Sequence, residues 1–107
     1  MNMKGNEEER RGQDLSILLF PTRFKIYNTI KEAGKSLYAS QIAEKIGVDR
    51  KLVSFHLSSL ERAEFVTSEF GIQNDPPPTG PPKAVRYYTL TDKGDNILRE
   101  LMEKIQE

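Results

Sequence analysis

The stretch at residues 50–62 carries the side chains best suited to binding chemistry. Its sequence is RKLVSFHLSSLER, and it opens with Arg50 and Lys51 directly after Asp49. A guanidinium group donates paired hydrogen bonds to a guanine edge or a phosphate, and an ammonium group pairs with phosphate as a point charge. The stretch therefore favours recognition of an anionic partner that accepts hydrogen bonds.

Bond-making chemistry lacks its usual side chains. The sequence contains no cysteine and one histidine, His56, which excludes disulfides, thiolate metal sites and multi-histidine zinc sites within one chain. We recognise no nucleophile–base pair and no glycine-rich phosphate loop. We therefore expect no enzyme activity, no metal and no cofactor. His56 itself lies at the margin of an apolar helix face and is interpreted as a boundary residue of the core.

The whole chain has no net charge, but basic and acidic residues are unevenly distributed along the sequence. Sixteen Lys and Arg offset sixteen Asp and Glu among 107 residues, so overall basicity does not drive any binding. Residues 15–90 hold ten basic and seven acidic side chains, so an anion-binding surface must be a local patch there. No apolar run is long enough to span a membrane and the N-terminus does not resemble a signal peptide, so we expect a cytoplasmic protein.

Proline, glycine and capping residues delimit the predicted elements. Pro21 suits a helix start, Gly34 and Gly47 suit helix ends, and Asp49 and Thr91 suit N-caps. The predicted order is a short helix ending near Phe20, a helix at 21–34, a small edge strand at 36–38, a helix at 39–46, a helix at 50–63, strands at 64–70 and 84–90, and a final helix after Thr91.

A helix-turn-helix followed by a β-hairpin predicts a winged helix, mostly α with a small hairpin. We assign residues 1–13 to a flexible N-terminal arm and residues 14–107 to the winged domain with a C-terminal dimerisation helix. The loop between the hairpin strands holds five of the six prolines and cannot form a ladder. The role of this loop, residues 71–84, is left open.

Three segments together resemble the ArsR-type winged helix-turn-helix transcription regulators. They are PTRFKIYNTIKEAG from Pro21, SLYASQIAEKIGVDRKLVSFHLSSLERAEFV from Ser36, and RYYTLTDKG from Arg86. The resemblance spans roughly residues 15–105. It implies a homodimer that binds operator DNA, with the fourth helix in the major groove and the hairpin as a wing.

Two features depart from that family. Metal-sensing members carry a cysteine pair in a box of the form ELCVCDL, where this chain has Tyr38 and Ser40. The last helix has no histidine for the alternative zinc site. The resemblance therefore does not imply metal sensing. The wing tip is also longer and richer in proline than is usual.

The candidate DNA contacts are polar, basic or exposed side chains of the helix-turn-helix and the wing. Phe55 projects away from the buried face, where it would meet a thymine methyl or a sugar edge, or pack under the wing. Ser54 and Ser58 are equally well explained as solvent-facing residues. The full set is Gln41, Arg50, Lys51, Ser54, Phe55, Ser58, Lys83 and Arg86.

The terminal helices carry more apolar side chains than a small winged helix covers alone. We therefore predict a homodimer interface built from both of them. Its candidate residues are Ile17, Leu18, Phe20, Ile97, Leu98, Leu101, Met102 and Ile105.

The sequence thus predicts a homodimeric, sequence-specific regulator that binds double-stranded DNA, and the family resemblance implies repression by blocking promoter access. The alternative is a winged helix that binds other proteins of the transcription or replication machinery. Near-zero net charge and the proline-rich loop favour that alternative, because polyproline segments are common recognition elements.

Overall fold

The computed structural model describes residues 3–106, with side chains for residues 6–106. The elements follow in the order α1 Met3–Leu19, α2 Pro21–Ala33, β1 Leu37–Tyr38, α3 Ala39–Ile46, α4 Arg50–Arg62, β2 Val66–Ile72, β3 Ala84–Leu90 and α5 Lys93–Gln106. Helices α3 and α4 form a helix-turn-helix, and strands β2 and β3 form the hairpin that follows it. The predicted winged-helix fold is confirmed.

The helix boundaries follow the local signals in the sequence. Pro21 is the first residue of α2, and Gly34 ends that helix in the left-handed conformation at φ 65°. Gly47 ends α3 in the same way at φ 68°. The Asp49 carboxylate accepts a hydrogen bond from the Lys51 amide at 2.8 Å and so caps α4. These contacts involve near neighbours in sequence, and the sequence predicted each of them.

The sheet has three strands in the order β1-β3-β2, and all neighbours are antiparallel. Leu37 lies opposite Tyr88, and Val66 lies opposite Leu90. The predicted small edge strand is therefore present as β1. The face that carries Tyr88 and Val66 turns towards the helices, and its distal part continues along the hairpin beyond them.

The core lies between α2, α3, α4 and the inner face of the sheet. It also contains His56, the buried polar residue of the core, which is 5% exposed, as predicted for a boundary histidine. Burial lowers the pKa of His56, and the nearby Arg23 guanidinium lowers it further. The apolar members of the core are Leu18, Ile26, Tyr27, Ile30, Leu37, Ile42, Val53, Leu57, Leu60, Phe65, Val66 and Tyr88.

The N-terminal segment differs from the prediction of a flexible arm at residues 1–13. The structure continues α1 back to Met3, and residues 1 and 2 lie outside the described residues. Residues 6–13 are exposed on all sides, so no apolar periodicity marks them as helical. Glu and Arg are good helix formers, and pairs such as Glu7 and Arg11 lie one turn apart, which favours the helix without burial.

Helix α5 approaches α2 closely at its first turn. The Tyr27 hydroxyl donates to Asp95 Oδ1 at 2.8 Å, and Lys31 Nζ lies 2.6 Å from the same oxygen. The Lys31 and Tyr27 hydrogen bonds hold the pKa of Asp95 below its ordinary value. Gly94 is buried against the Tyr27 ring, so a side chain at position 94 has no space.

Candidate nucleic-acid interface

Helix α4 presents two opposite faces. Val53, Leu57 and Leu60 are fully buried and fix one face against the core. At about 100° per residue, Lys51 and Phe55 then point outwards, because they lie on the far side of the helix. The outward face is therefore available to a partner along its whole length.

A cleft of about 260 Å³ separates the start of α3, the first half of α4 and strand β3. Arg50 and Ser54 line it from α4, Arg86 lines it from β3, and Ser40 lines it from α3. The structure thus brings together three predicted contact residues, Arg50, Ser54 and Arg86. Two guanidinium groups in one open cleft suit an anionic, hydrogen-bonding ligand.

The Arg86 side chain is positioned by the hairpin. Its Nη1 donates to Ser68 Oγ at 3.0 Å, and its guanidinium carbon lies 4.5 Å from the centre of the Phe70 ring. Ser68 Oγ in turn donates to Glu61 Oε2 at 2.5 Å. Glu61 is the one acidic residue of α4. Its carboxylate faces the wing, which leaves the outward face of α4 free of acidic side chains.

The other predicted contact residues lie at two places. Lys51, Phe55 and Ser58 are exposed on the outward face of α4, and the Phe55 side chain is 57% exposed. Lys83 is exposed at the end of the wing loop, where its carbonyl accepts from the Gln73 amide at 2.8 Å. None of these four residues lines the cleft.

Gln41 already uses both ends of its amide within the chain. Its Oε1 accepts from the Tyr38 amide at 3.0 Å, and its Nε2 donates to the Asp75 carbonyl at 2.8 Å. A base contact by Gln41 requires the loss of at least one of these bonds. The DNA contact of Gln41 stays a prediction, and its visible role is to support the wing loop.

The wing loop, residues 73–83, is anchored to the start of α3. The Tyr38 hydroxyl donates to the Asp75 carbonyl at 2.5 Å. The Tyr87 hydroxyl lies 2.9 Å from Ile72 O and 2.9 Å from Asn74 Oδ1, and its ring packs edge-on against Tyr38 at 5.5 Å. Tyr38, which stands where metal-sensing relatives carry a cysteine, thus ties the loop to the helix-turn-helix.

Replacing this hydroxyl should release the loop and leave the fold intact. We expect Tyr38→Phe to speed amide hydrogen exchange in residues 73–83, because one of the two bonds to the Asp75 carbonyl is lost. Global stability should fall by only about 1 kcal/mol. Tyr88→Phe is the matched control, since Tyr88 lies on the opposite face of β3. Equal exchange rates in Tyr38→Phe and the unmodified protein would show that the anchor is unimportant.

Several residues near the interface were missed by the sequence analysis. Leu52, Phe70 and Ile72 are exposed apolar side chains of α4 and β2. Strand alternation from the buried Val66 already places Phe70 on the helix-facing side, so this signal was present. Arg23 also lies near α4, and its Nε donates to His56 Nδ1 at 3.1 Å.

The predicted dimerisation residues differ in how far the chain itself buries them. Leu18 is fully buried inside the chain and is a core residue, so its assignment to an interface was wrong. Phe20 lies beside α4, where its ring contacts His56 at 5.5 Å. Ile17, Ile97 and Leu98 are partly buried and pack against the core, Leu101 is half-buried, and Met102 and Ile105 are exposed.

Residues 6–106 contain no group of three or more His, Cys, Asp or Glu side chains arranged to hold a metal ion. No helix in the described part of the chain is both long and apolar enough to cross a membrane.

The comparisons with known proteins agree with this geometry. Residues 21–68 match the family model described as "Bacterial regulatory protein, arsR family". The match runs from the start of α2 into β2 and so includes the whole helix-turn-helix. A search of curated proteins found no match to the chain. Residues 21–68 are thus similar to the helix-turn-helix domain of the bacterial arsR family, and this match supports a DNA-binding transcription regulator.

Proposed function

We propose that the protein is a homodimeric repressor that binds a palindromic DNA site and blocks promoter access. The observation that carries the proposal is the cleft where Arg50 and Ser54 of α4 meet Arg86 of the wing. In a winged helix bound to DNA, the recognition helix enters the major groove with its first residues towards the base edges. Arg50 and Lys51 occupy that end of α4, and both are exposed.

The dimer part of the proposal is supported by the outer surface of the terminal helices. Helices α1 and α5 lie side by side and are joined by an ion pair between Lys93 Nζ and Asp14 Oδ2 at 3.2 Å. Met102 and Ile105 remain 52% and 67% exposed, although each is a large apolar side chain. In a symmetric dimer, the Met102 and Ile105 side chains of both protomers would be covered in one interface.

No metal effector is part of the proposal, since Tyr38 and Ser40 supply no thiolate and Tyr38 is engaged in the wing-loop anchor. The proposed role is regulatory rather than enzymatic, in the cytoplasm, and its chemistry is confined to reversible binding. Repression is the mode that the family resemblance implies.

The test is selection of bound sites from random duplex DNA, followed by substitution of the two leading cations. We expect Arg50→Ala and Lys51→Ala each to weaken binding to the selected site. A bidentate base contact contributes about 1–3 kcal/mol, or roughly five- to 150-fold in affinity, so we expect Arg50→Ala to have the larger effect.

Matched controls remove the same charges from other surfaces. Arg99→Ala on α5 is the control for Arg50, and Lys35→Ala before β1 is the control for Lys51; both residues are exposed. Unchanged affinity in Arg50→Ala and Lys51→Ala would overturn the assignment of α4. If no site is selected, the exposed prolines of the wing loop make a protein-interaction module the better interpretation.

A further inference from the structure

Phe55 is an aromatic side chain at the centre of a surface that faces solvent. It is 57% exposed, and it lies on the side of α4 opposite the buried Val53 and Leu57. More than half of this side chain faces solvent, so its ring is available to a partner outside the chain.

The Phe55 ring is supported from one side. It contacts the His56 ring edge-on, with centroids 5.3 Å apart at 72°. His56 is itself fixed, because its Nδ1 accepts from Arg23 and its ring packs against Phe20. This stack of Phe20, His56 and Phe55 restrains the Phe55 ring before any partner arrives.

The side chains around Phe55 indicate which kind of partner this surface fits. Lys51 lies one turn before it and Ser58 one turn after it on the same exposed face, with Arg62 beyond. The α4 carboxylate, Glu61, accepts from Ser68 on the wing side. Phe55 therefore lies beside the exposed Leu52, and its other neighbours on this face are cationic or bear hydroxyl groups. The floor of the DNA major groove has matching chemistry, because phosphates line its rims and the thymine 5-methyl is its apolar group.

We infer that Phe55 is a specificity-determining residue that contacts the 5-methyl group of a thymine in each half-site. This inference rests on the proposed function, since it requires α4 to enter the major groove. It adds that the site contains a thymine at one fixed position and that its methyl group, rather than its hydrogen bonds, is recognised there. A 5-methylcytosine at that position offers the same methyl group.

The test deletes single methyl groups from the selected DNA site. Each dT of a half-site is replaced by dU, which keeps the base pair and removes only the methyl. At one position we expect about fourfold weaker binding, and about fifteenfold when both half-sites are changed. Phe55→Ala should bind the dT site less tightly and lose its response to dU at that position. Leu19→Ala removes an exposed apolar side chain of α1, outside α4 and the wing, and should keep the response of the unmodified protein.

The outcomes separate this inference from the proposed function. If a site is selected and all of its dU versions bind as tightly as the dT site, the inference is wrong, but the proposed function is unaffected. A full dU response retained by Phe55→Ala also overturns it. Selection of no site contradicts both. Circular dichroism checks that Phe55→Ala is folded, and Phe55→Leu, which keeps an apolar contact, should show a reduced but measurable dU response.

Discussion

Met102→Glu combined with Ile105→Glu is expected to give a folded monomer that no longer holds the selected DNA site. Both side chains are exposed in the single chain, so their replacement costs the protomer little. In a symmetric dimer the double variant places four carboxylates in one apolar contact. Burying each side chain contributes roughly 1.5–3 kcal/mol, so the interface loses several such contributions and gains charge repulsion.

The effect on DNA should be large because two linked recognition helices bind two half-sites. A monomer retains one half-site contact, and we expect at least a hundredfold loss of affinity for the palindrome. Sedimentation velocity measures the oligomeric state, and a fluorescence binding assay measures the affinity.

The control variant is Asn96→Glu, which adds a carboxylate at an exposed position of α5 away from this pair. At about 100° per residue, Asn96 lies roughly 120° from Met102 and on the opposite side of the helix from Ile105. It should remain dimeric and bind normally. A double variant that is still a dimer with full affinity would show that the protein associates through another surface, or that α5 has no part in it.

Gly94→Ala is expected to destabilise the protein more than its size suggests. A methyl group at position 94 would lie 2.5 Å from Cε2 of the Tyr27 ring, and Tyr27 is fully buried. The rigid ring has no free space to move into, so α5 must shift away from α2. We expect a loss of about 2–3 kcal/mol, or a melting temperature lower by about 10 °C at equal protein concentration.

Gly12→Ala provides the matched control, because Gly12 is also helical and has open space around it. There the change should stabilise the protein by up to about 1 kcal/mol, as expected for alanine in an exposed helix. Urea titrations of both variants give the comparison. Equal stability of Gly94→Ala and the unmodified protein would contradict the close packing of α5 on α2.

The elements of the helix-turn-helix were predictable because their signals are local. Each helix end is set by contacts between residues within one turn of it, at Gly34, Gly47 and Asp49. Such contacts can be recognised from neighbouring residues in the sequence. Strand β3 was equally clear from its branched and aromatic residues. The sequence also predicted Arg50, Ser54 and Arg86 as DNA contacts, and the structure brings these three side chains to one cleft.

The errors concern features that sequence periodicity does not carry. The first part of α1 has no buried face, so its helix has no apolar stripe to detect. Leu18 belongs to a run of apolar residues, Ile17 to Phe20, which is too short to show which side chain points to the core. The hydrogen bond between Tyr38 and Asp75 joins residues 37 positions apart, and no local sequence pattern predicts it.

That bond has a consequence for how the wing meets DNA. Ordering a mobile backbone costs about 1–2 kcal/mol per residue, and a free loop meets this entropy cost when it binds. Here Tyr38 and Gln41 order the loop at Asp75 during folding, before any ligand is present. If the wing contacts DNA as proposed, a loop held in this way adapts less to each duplex. We then expect the protein to favour DNA whose groove width already matches the wing, so that base pairs it never touches also influence its choice of site.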